Sequence, residues 1–107
     1  MFHILITDDD KHTRMLLRAV LENAGYTVTT AVDGNDALDA LDREHIDLVI
    51  LDVMMPNMDG YEFTRLVRQT DSTLPILMVT AKQLPEDEKK GFLVGTDDYI
   101  TKPIDEE

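Results

Sequence analysis

Six residues of this 107-residue sequence have the types and the placement to work together on phosphorus chemistry. Asp8, Asp9 and Asp10 are consecutive carboxylates that follow the run FHILIT. Asp52 closes the run DLVILD, Thr80 closes PILMVT, and Lys102 follows DYIT. Carboxylates gathered at one rim repel each other unless a cation joins them. The grouping therefore favours a hard divalent ion. Mg2+ takes about six oxygens, usually one or two carboxylates, several waters and a phosphate oxygen, so an acidic rim also implies a phosphate-bearing partner. Asp52 stands apart because it ends an apolar run instead of sitting in an acidic loop. A carboxylate held there beside a metal and a lysine can act as a nucleophile on phosphorus and form an aspartyl phosphate. A hydroxyl such as Thr80 and an ammonium such as Lys102 suit the equatorial oxygens of the transferred group, onto which charge spreads.

For these residues to meet, each must stand just past a strand of one sheet. Five β-like runs are present: Phe2 to Thr7, Tyr26 to Ala31, Asp47 to Asp52, Pro75 to Thr80 and Asp98 to Thr101. They begin about 21 to 28 residues apart, too far for hairpins and right for a strand plus a crossover helix. The third and fourth are apolar without alternation, as strands covered on both faces are. Between them apolar residues recur with helical spacing: Leu16, Ala19 and Val20 beside Leu17 and Leu21, then Ala37, Leu38 and Leu41, then Phe63, Leu66 and Val67. Gly25 and Gly95 are placed to end the first and fourth helices, and Asp59-Gly60 marks the turn before the third. The fourth helix is expected over Pro85 to Val94, with Pro85 and the acidic Glu86 to Glu88 in its first turn and Gly91 weakening its interior. The resulting order βαβαβαβαβ is a doubly wound α/β sheet, in which ligands bind outside the carboxyl ends of the strands.

The composition excludes other classes. There are 10 Lys+Arg against 22 Asp+Glu, a formal charge of −12, so this domain lacks the basic stripe that grips nucleic acid. The longest apolar stretches, Leu48 to Leu51 and Ile76 to Val79, are far below the roughly 20 residues of a membrane span. No basic region with a cleavage site opens the chain, and there is no cysteine, so a cytoplasmic setting with no membrane contact is expected. Asn57-Met58-Asp59-Gly60 fails as a calcium loop, because Met55 and Leu66 would occupy the first and twelfth ligand positions. His3, His12 and His45 share no ligand spacing.

ILITDDD, LVILDVMMPNMDG, VTAK and GTDDYITKP, in that order from Ile4 to Pro103, resemble the four signatures of the CheY-like receiver domains of two-component response regulators. The resemblance implies a flavodoxin-like five-stranded parallel sheet of order 2-1-3-4-5 with helices on both faces. It implies one receiver domain over 1–107, ending after the fifth strand, with the fifth helix missing from this chain. Asp52 would take the phosphoryl group from a sensor histidine kinase. Asp8, Asp9 and Asp52, with the Met54 carbonyl, would hold Mg2+. Thr80 and Lys102 would bind the phosphoryl group, Tyr99 would turn with Thr80, and the Lys102-Pro103 bond would be cis. Such a domain is a phosphoacceptor that assists its own phosphorylation and dephosphorylation, not an enzyme.

The sequence departs from the pattern at Asp10, where glutamate is commoner, at Thr7, usually aliphatic, and at Thr96, usually alanine. Without the fifth helix an apolar strip on the first helix and the sheet is expected to be bare, and self-association or a homodimer with it. GTDDYITKP is most similar to receivers joined to winged-helix domains, so transcriptional output is expected, with DNA met only through a C-terminal effector domain that this chain lacks. Three other readings compete. A flavin carrier needs a phosphate cradle after the first strand, where three aspartates would repel it. A Mg2+-dependent aspartyl-phosphate phosphatase needs a second acid two residues after the nucleophile, and that position is Met54. A phosphate-independent interaction module would tolerate loss of Asp52.

Overall fold

Side-chain alternation along the strands decides which helix covers which face. In the computed structural model, which describes residues 1–71, 73–80 and 95–101, the elements are β1 (His3–Thr7), α1 (Lys11–Asn23), β2 (Thr27–Ala31), α2 (Gly34–Arg43), β3 (Leu48–Leu51), α3 (Gly60–Thr70), β4 (Ile76–Thr80) and β5 (Asp98–Thr101). All pairings are parallel and the order is β2-β1-β3-β4-β5, the doubly wound order expected. Leu5, Val49, Leu51, Ile76 and Met78 point to one face and pack with Ala37 and Ala40 of α2 and Phe63 and Val67 of α3. Ile4, Ile6, Ile50 and Val79 point to the other and meet Leu17 and Leu21 of α1. Successive residues of one strand thus serve opposite faces, which is why β3 and β4 are apolar throughout. The expected fourth helix, Pro85 to Val94, lies outside the described residues, as do Lys102 and Pro103.

The helix ends follow the sequence closely. Asp10, Asp33 and Asp59 cap α1, α2 and α3, each side chain accepting from a backbone N–H in the first turn. Past α1, the Gly25 N–H donates to Glu22 O at 3.0 Å and the Tyr26 N–H to Leu21 O at 3.1 Å, with Gly25 at φ +98°. That pair of bonds is a Schellman motif, and its left-handed residue favours glycine.

α1 packs only part of its apolar set. Its sheet-facing residues are Leu17 and Leu21, whereas Leu16 and Val20 are 36% and 42% exposed and Met15 is 60% exposed. The helix stripe is therefore bare as expected. The described sheet residues on that face are less so, with Ile50 and Val79 buried. Among the described residues no helix is long and apolar enough to cross a membrane.

The opposite end of the sheet is tied by polar side chains. Arg68 of α3 donates from Nε to Gly95 O at 2.9 Å and from Nη2 to Asp97 Oδ2 at 2.9 Å. Asp97 Oδ2 also accepts the Ile76 N–H at 2.7 Å, and the Thr96 hydroxyl donates to Ile76 O at 2.9 Å. Together they fix the chain entering β5 against β4. Thr96, at the position where the receiver signature it resembles usually has alanine, thus ties β5 to the sheet edge.

Candidate functional site

β3 lies between β1 and β4, so the chain leaving it stands beside the acidic turn after β1 and beside the end of β4. The ladder continues one step past the register pair Thr7 and Leu51, since the Asp52 N–H donates to Thr7 O at 2.9 Å. Asp8 is anchored likewise, its N–H donating to Ala31 O at 3.2 Å. As a result Asp8, Asp9 and Asp52 each offer a carboxylate oxygen within 4.8 Å of the others. Asp8 and Asp52 are buried, at 3% and 6% exposure, while Asp9 faces solvent. Such an all-oxygen, all-anionic donor set suits a hard divalent cation and repels a soft one.

The carboxylates of Asp8 and Asp52 are positioned by local bonds. Asp8 Oδ1 accepts the Asp10 N–H at 2.9 Å, and the Arg14 guanidinium donates to Asp8 O at 2.7 Å. Asp52 Oδ1 accepts the Met54 N–H at 3.2 Å. Asp10, the third member of the acidic run, belongs to α1 instead. It accepts the Thr13 hydroxyl at 2.7 Å and the His12 N–H at 3.2 Å, and the Thr13 bond foremost holds its carboxyl below the ordinary value. The cluster is thus two adjacent aspartates plus Asp52, with the third acting as a helix cap.

An open cavity of about 440 Å³ reaches Asp9 and is lined by Val53, Met54, Pro56, Asp59 and Tyr61. Met54 is 56% exposed at its mouth, whereas Met55 is buried in the core and Met58 packs on Gly34. Of the loop methionines, Met55 and Met58 are packing residues. Thr80 ends β4 opposite Thr101, and Tyr99 of β5 is in register with Met78. The backbone thus brings Thr80 to the same sheet edge as Asp52.

Two features of the site were not evident from the sequence. One is Arg14, which sits a helical turn beyond the acidic run and grips its backbone; a basic residue near an acidic loop is the available signal. The other is Gly60 at the start of α3. A Cβ there would lie 2.8 Å from Asp52 O and 2.8 Å from the Val53 Cα, so only glycine lets α3 press against the backbone of the candidate nucleophile. The Gly60 N–H donates to Val53 O at 2.9 Å.

Beneath the site, Thr7 is 1% exposed and its hydroxyl has no hydrogen-bond partner among the described residues. An orphaned buried hydroxyl is costly, and an isosteric apolar replacement removes the cost. Thr7→Val is expected to raise stability by about 1 kcal/mol in urea unfolding; a fall would show that the hydroxyl is satisfied in solution.

The profile of the response regulator receiver domain matches residues 4–107. The chain is 46% identical over 101 residues to sensor histidine kinase RcsC of Escherichia coli, covering 94% of this chain and 11% of that protein. It is equally 46% identical over 101 residues to the alkaline phosphatase synthesis transcriptional regulatory protein PhoP of Bacillus subtilis, covering 94% of this chain and 42% of that protein. It therefore spans less than half the length of these relatives. Among solved structures, the chemotaxis protein CheY4 of Vibrio cholerae superposes with a TM-score of 0.93 at 37% identity, over 98% of this chain and 89% of that one. The order of the sheet, the acidic pocket at its carboxyl edge and these likenesses agree: the chain belongs to the response regulator receiver domain family, the phosphoacceptor switch domains of two-component phosphorelay signalling.

Proposed function

We propose that Asp52 is the phosphoacceptor and that Asp8 and Asp9, with Asp52 and the Met54 carbonyl, hold Mg2+. The observation that carries this reading is the convergence of three carboxylate oxygens within 4.8 Å at the end of β3. In the reaction an Asp52 carboxylate oxygen attacks the phosphorus of a phosphohistidine. The P–N bond breaks, its electron pair stays on the imidazole nitrogen, and that nitrogen takes up a proton. Bound Mg2+ supplies positive charge that offsets the repulsion between the carboxylates and the incoming phosphoryl oxygens. Asp8 and Asp9 orient Asp52 within that pocket. Thr80 donates to the phosphoryl oxygens and Lys102 pairs with them, ahead of a cis Pro103. The added charge of about −1.5 to −2 draws Thr80 inward and Tyr99 follows, reshaping the β4–β5 edge for a partner to read.

The donor is a sensor histidine kinase and the domain works in the cytoplasm; the kinase partner is supported by the relatives, which include both a sensor kinase and transcriptional regulators. Transcriptional output is supported by the transcriptional regulatory protein PhoP of Bacillus subtilis, and DNA would be met through a separate effector domain. Self-association is supported by the exposed Met15, Leu16 and Val20.

The test is intact mass after incubation with acetyl phosphate, with and without Mg2+. One added phosphoryl group that requires Mg2+ is expected. Donor consumption over many turnovers without an adduct would replace this reading with that of a phosphatase; no adduct and no turnover would replace it with that of an interaction module.

A further inference from the structure

A second cavity lies at the far end of the sheet from the carboxylates, beside the C-terminal ends of α2 and α3. Its volume is about 460 Å³, within the range of ligand-sized pockets, and its floor is Leu38, Leu41, Ile46, Leu66 and Leu74. Ile46 and Leu74 are buried members of the core, so the floor is continuous with it. The rim carries Asp42, Glu44 and Asp71 together with His45, whose Nε2 meets Asp47 Oδ1 at 3.0 Å, and among the described residues no lysine or arginine lines the cavity.

The rim charge is fixed by structure. Asp71 Oδ1 accepts the Thr73 N–H, the Thr73 hydroxyl and the Leu74 N–H at 2.9, 3.0 and 3.1 Å. Glu44 accepts the Thr29 hydroxyl at 2.9 Å. Glu44 and Asp71 are also the C-cap residues of α2 and α3, so the negative ends of two helices add to the carboxylates. The last-turn cation of α3, Arg68, is bonded to Gly95 and Asp97 and, at 3.2 Å, to the backbone oxygen of Asp71, so it offsets part of the Asp71 charge and leaves Asp42 the freer rim carboxylate.

An apolar floor inside an anionic rim selects a ligand that is apolar on one side and cationic along its flanks. A second copy of this chain, with a formal charge of −12, is a poor match. We propose that the groove between the C-terminal ends of α2 and α3 docks a basic amphipathic helix of a partner protein. Apolar residues one turn apart enter over Ile46, Leu66 and Leu74, and lysine or arginine side chains reach Asp42 and Asp71. The site lies at the opposite end of the sheet from Asp52, so it does not depend on the phosphoacceptor reading.

The test uses a fluorescein-labelled helical peptide with leucines at i and i+4 flanked by lysines, against a peptide of the same composition with the leucines scattered. Anisotropy is expected to show the patterned peptide binding about tenfold more tightly than the scattered one, a difference of about 1.4 kcal/mol. Amide shifts should concentrate at Ile46, Leu66 and Leu74. Asp42→Lys, at an exposed position, should weaken the patterned peptide about fivefold or more, by reversing one rim charge; Leu66→Gln should weaken it independently of charge. Equal binding of the two peptides, shifts centred on Asp8 and Asp9, no binding, or indifference to both variants would each overturn the proposal. Concentration-dependent shifts at the groove without peptide would assign it to self-association instead.

Discussion

Asp52→Asn is expected to abolish phosphoryl uptake while making the Mg2+-free protein more stable. The amide oxygen is not a nucleophile at neutral pH, so the adduct should fall below detection under conditions that load the wild type. The fold should survive, because the substituted side chain keeps an Oδ1 to accept the Met54 N–H, and the backbone N–H at this position still donates to Thr7 O. The gain in stability comes from the pocket itself. Three carboxylate oxygens within 4.8 Å repel one another, and the exposure of Asp9 screens part of that repulsion. Removing one charge is expected to gain on the order of 1 kcal/mol in urea unfolding without divalent ions. Mg2+ should reverse the order, since it stabilises whichever protein binds it more tightly. A variant that still takes up the phosphoryl group would place the acceptor elsewhere. A variant less stable than the wild type, with or without Mg2+, would show that Asp52 is held by bonds stronger than the repulsion.

The sheet was legible because its strands are marked twice, by apolar runs and by crossover spacing. The order β2-β1-β3-β4-β5 agrees with what the receiver signatures implied. The pocket was legible because sheet geometry alone brings residues just past β1, β3 and β4 to one edge. What periodicity alone does not report has local causes. Leu16 and Val20 have the same helical spacing as Leu17 and Leu21, and only the direction of approach of β1 and β3 decides that the latter pair packs. Asp10 looks like its two neighbours in sequence, but α1 begins at Lys11 and takes it as a cap. Arg14 and Arg68 act across gaps that no periodicity reports. Arg68 reaches Gly95 and Asp97, 27 and 29 residues away.

Gly60 shows how a residue read from sequence as a turn marker can be a constraint on the site. Its φ is not in the left-handed region, so alanine is allowed by backbone conformation and would favour the helix slightly. Space forbids it. The new Cβ meets Asp52 O and the Val53 Cα, both at 2.8 Å, and both are backbone atoms that no rotamer change can move aside. Gly60→Ala must therefore push α3 away from β3 or displace the peptide after Asp52. The first course loosens Phe63 and Val67, which are buried against the sheet. Overpacking of this kind is expected to cost about 1–3 kcal/mol, read as a lower urea midpoint. The second course moves the candidate nucleophile relative to Asp8 and Asp9. A displacement of about 1 Å in a reacting group can cost on the order of a hundredfold in rate. Gly60→Ala should therefore slow phosphoryl uptake from acetyl phosphate even at temperatures where the variant is fully folded. Gly34→Ala is the matched control. Its Cβ would also approach within 2.8 Å of an atom, but its nearest neighbours are side-chain atoms of Met58, the Sδ first, and not the backbone of Asp52. If both variants lose stability but only Gly60→Ala loses phosphoryl uptake, the contact between α3 and the backbone of Asp52 is what aligns the acceptor. Equal uptake by both would show that the loop after β3 absorbs the clash without moving the carboxylate.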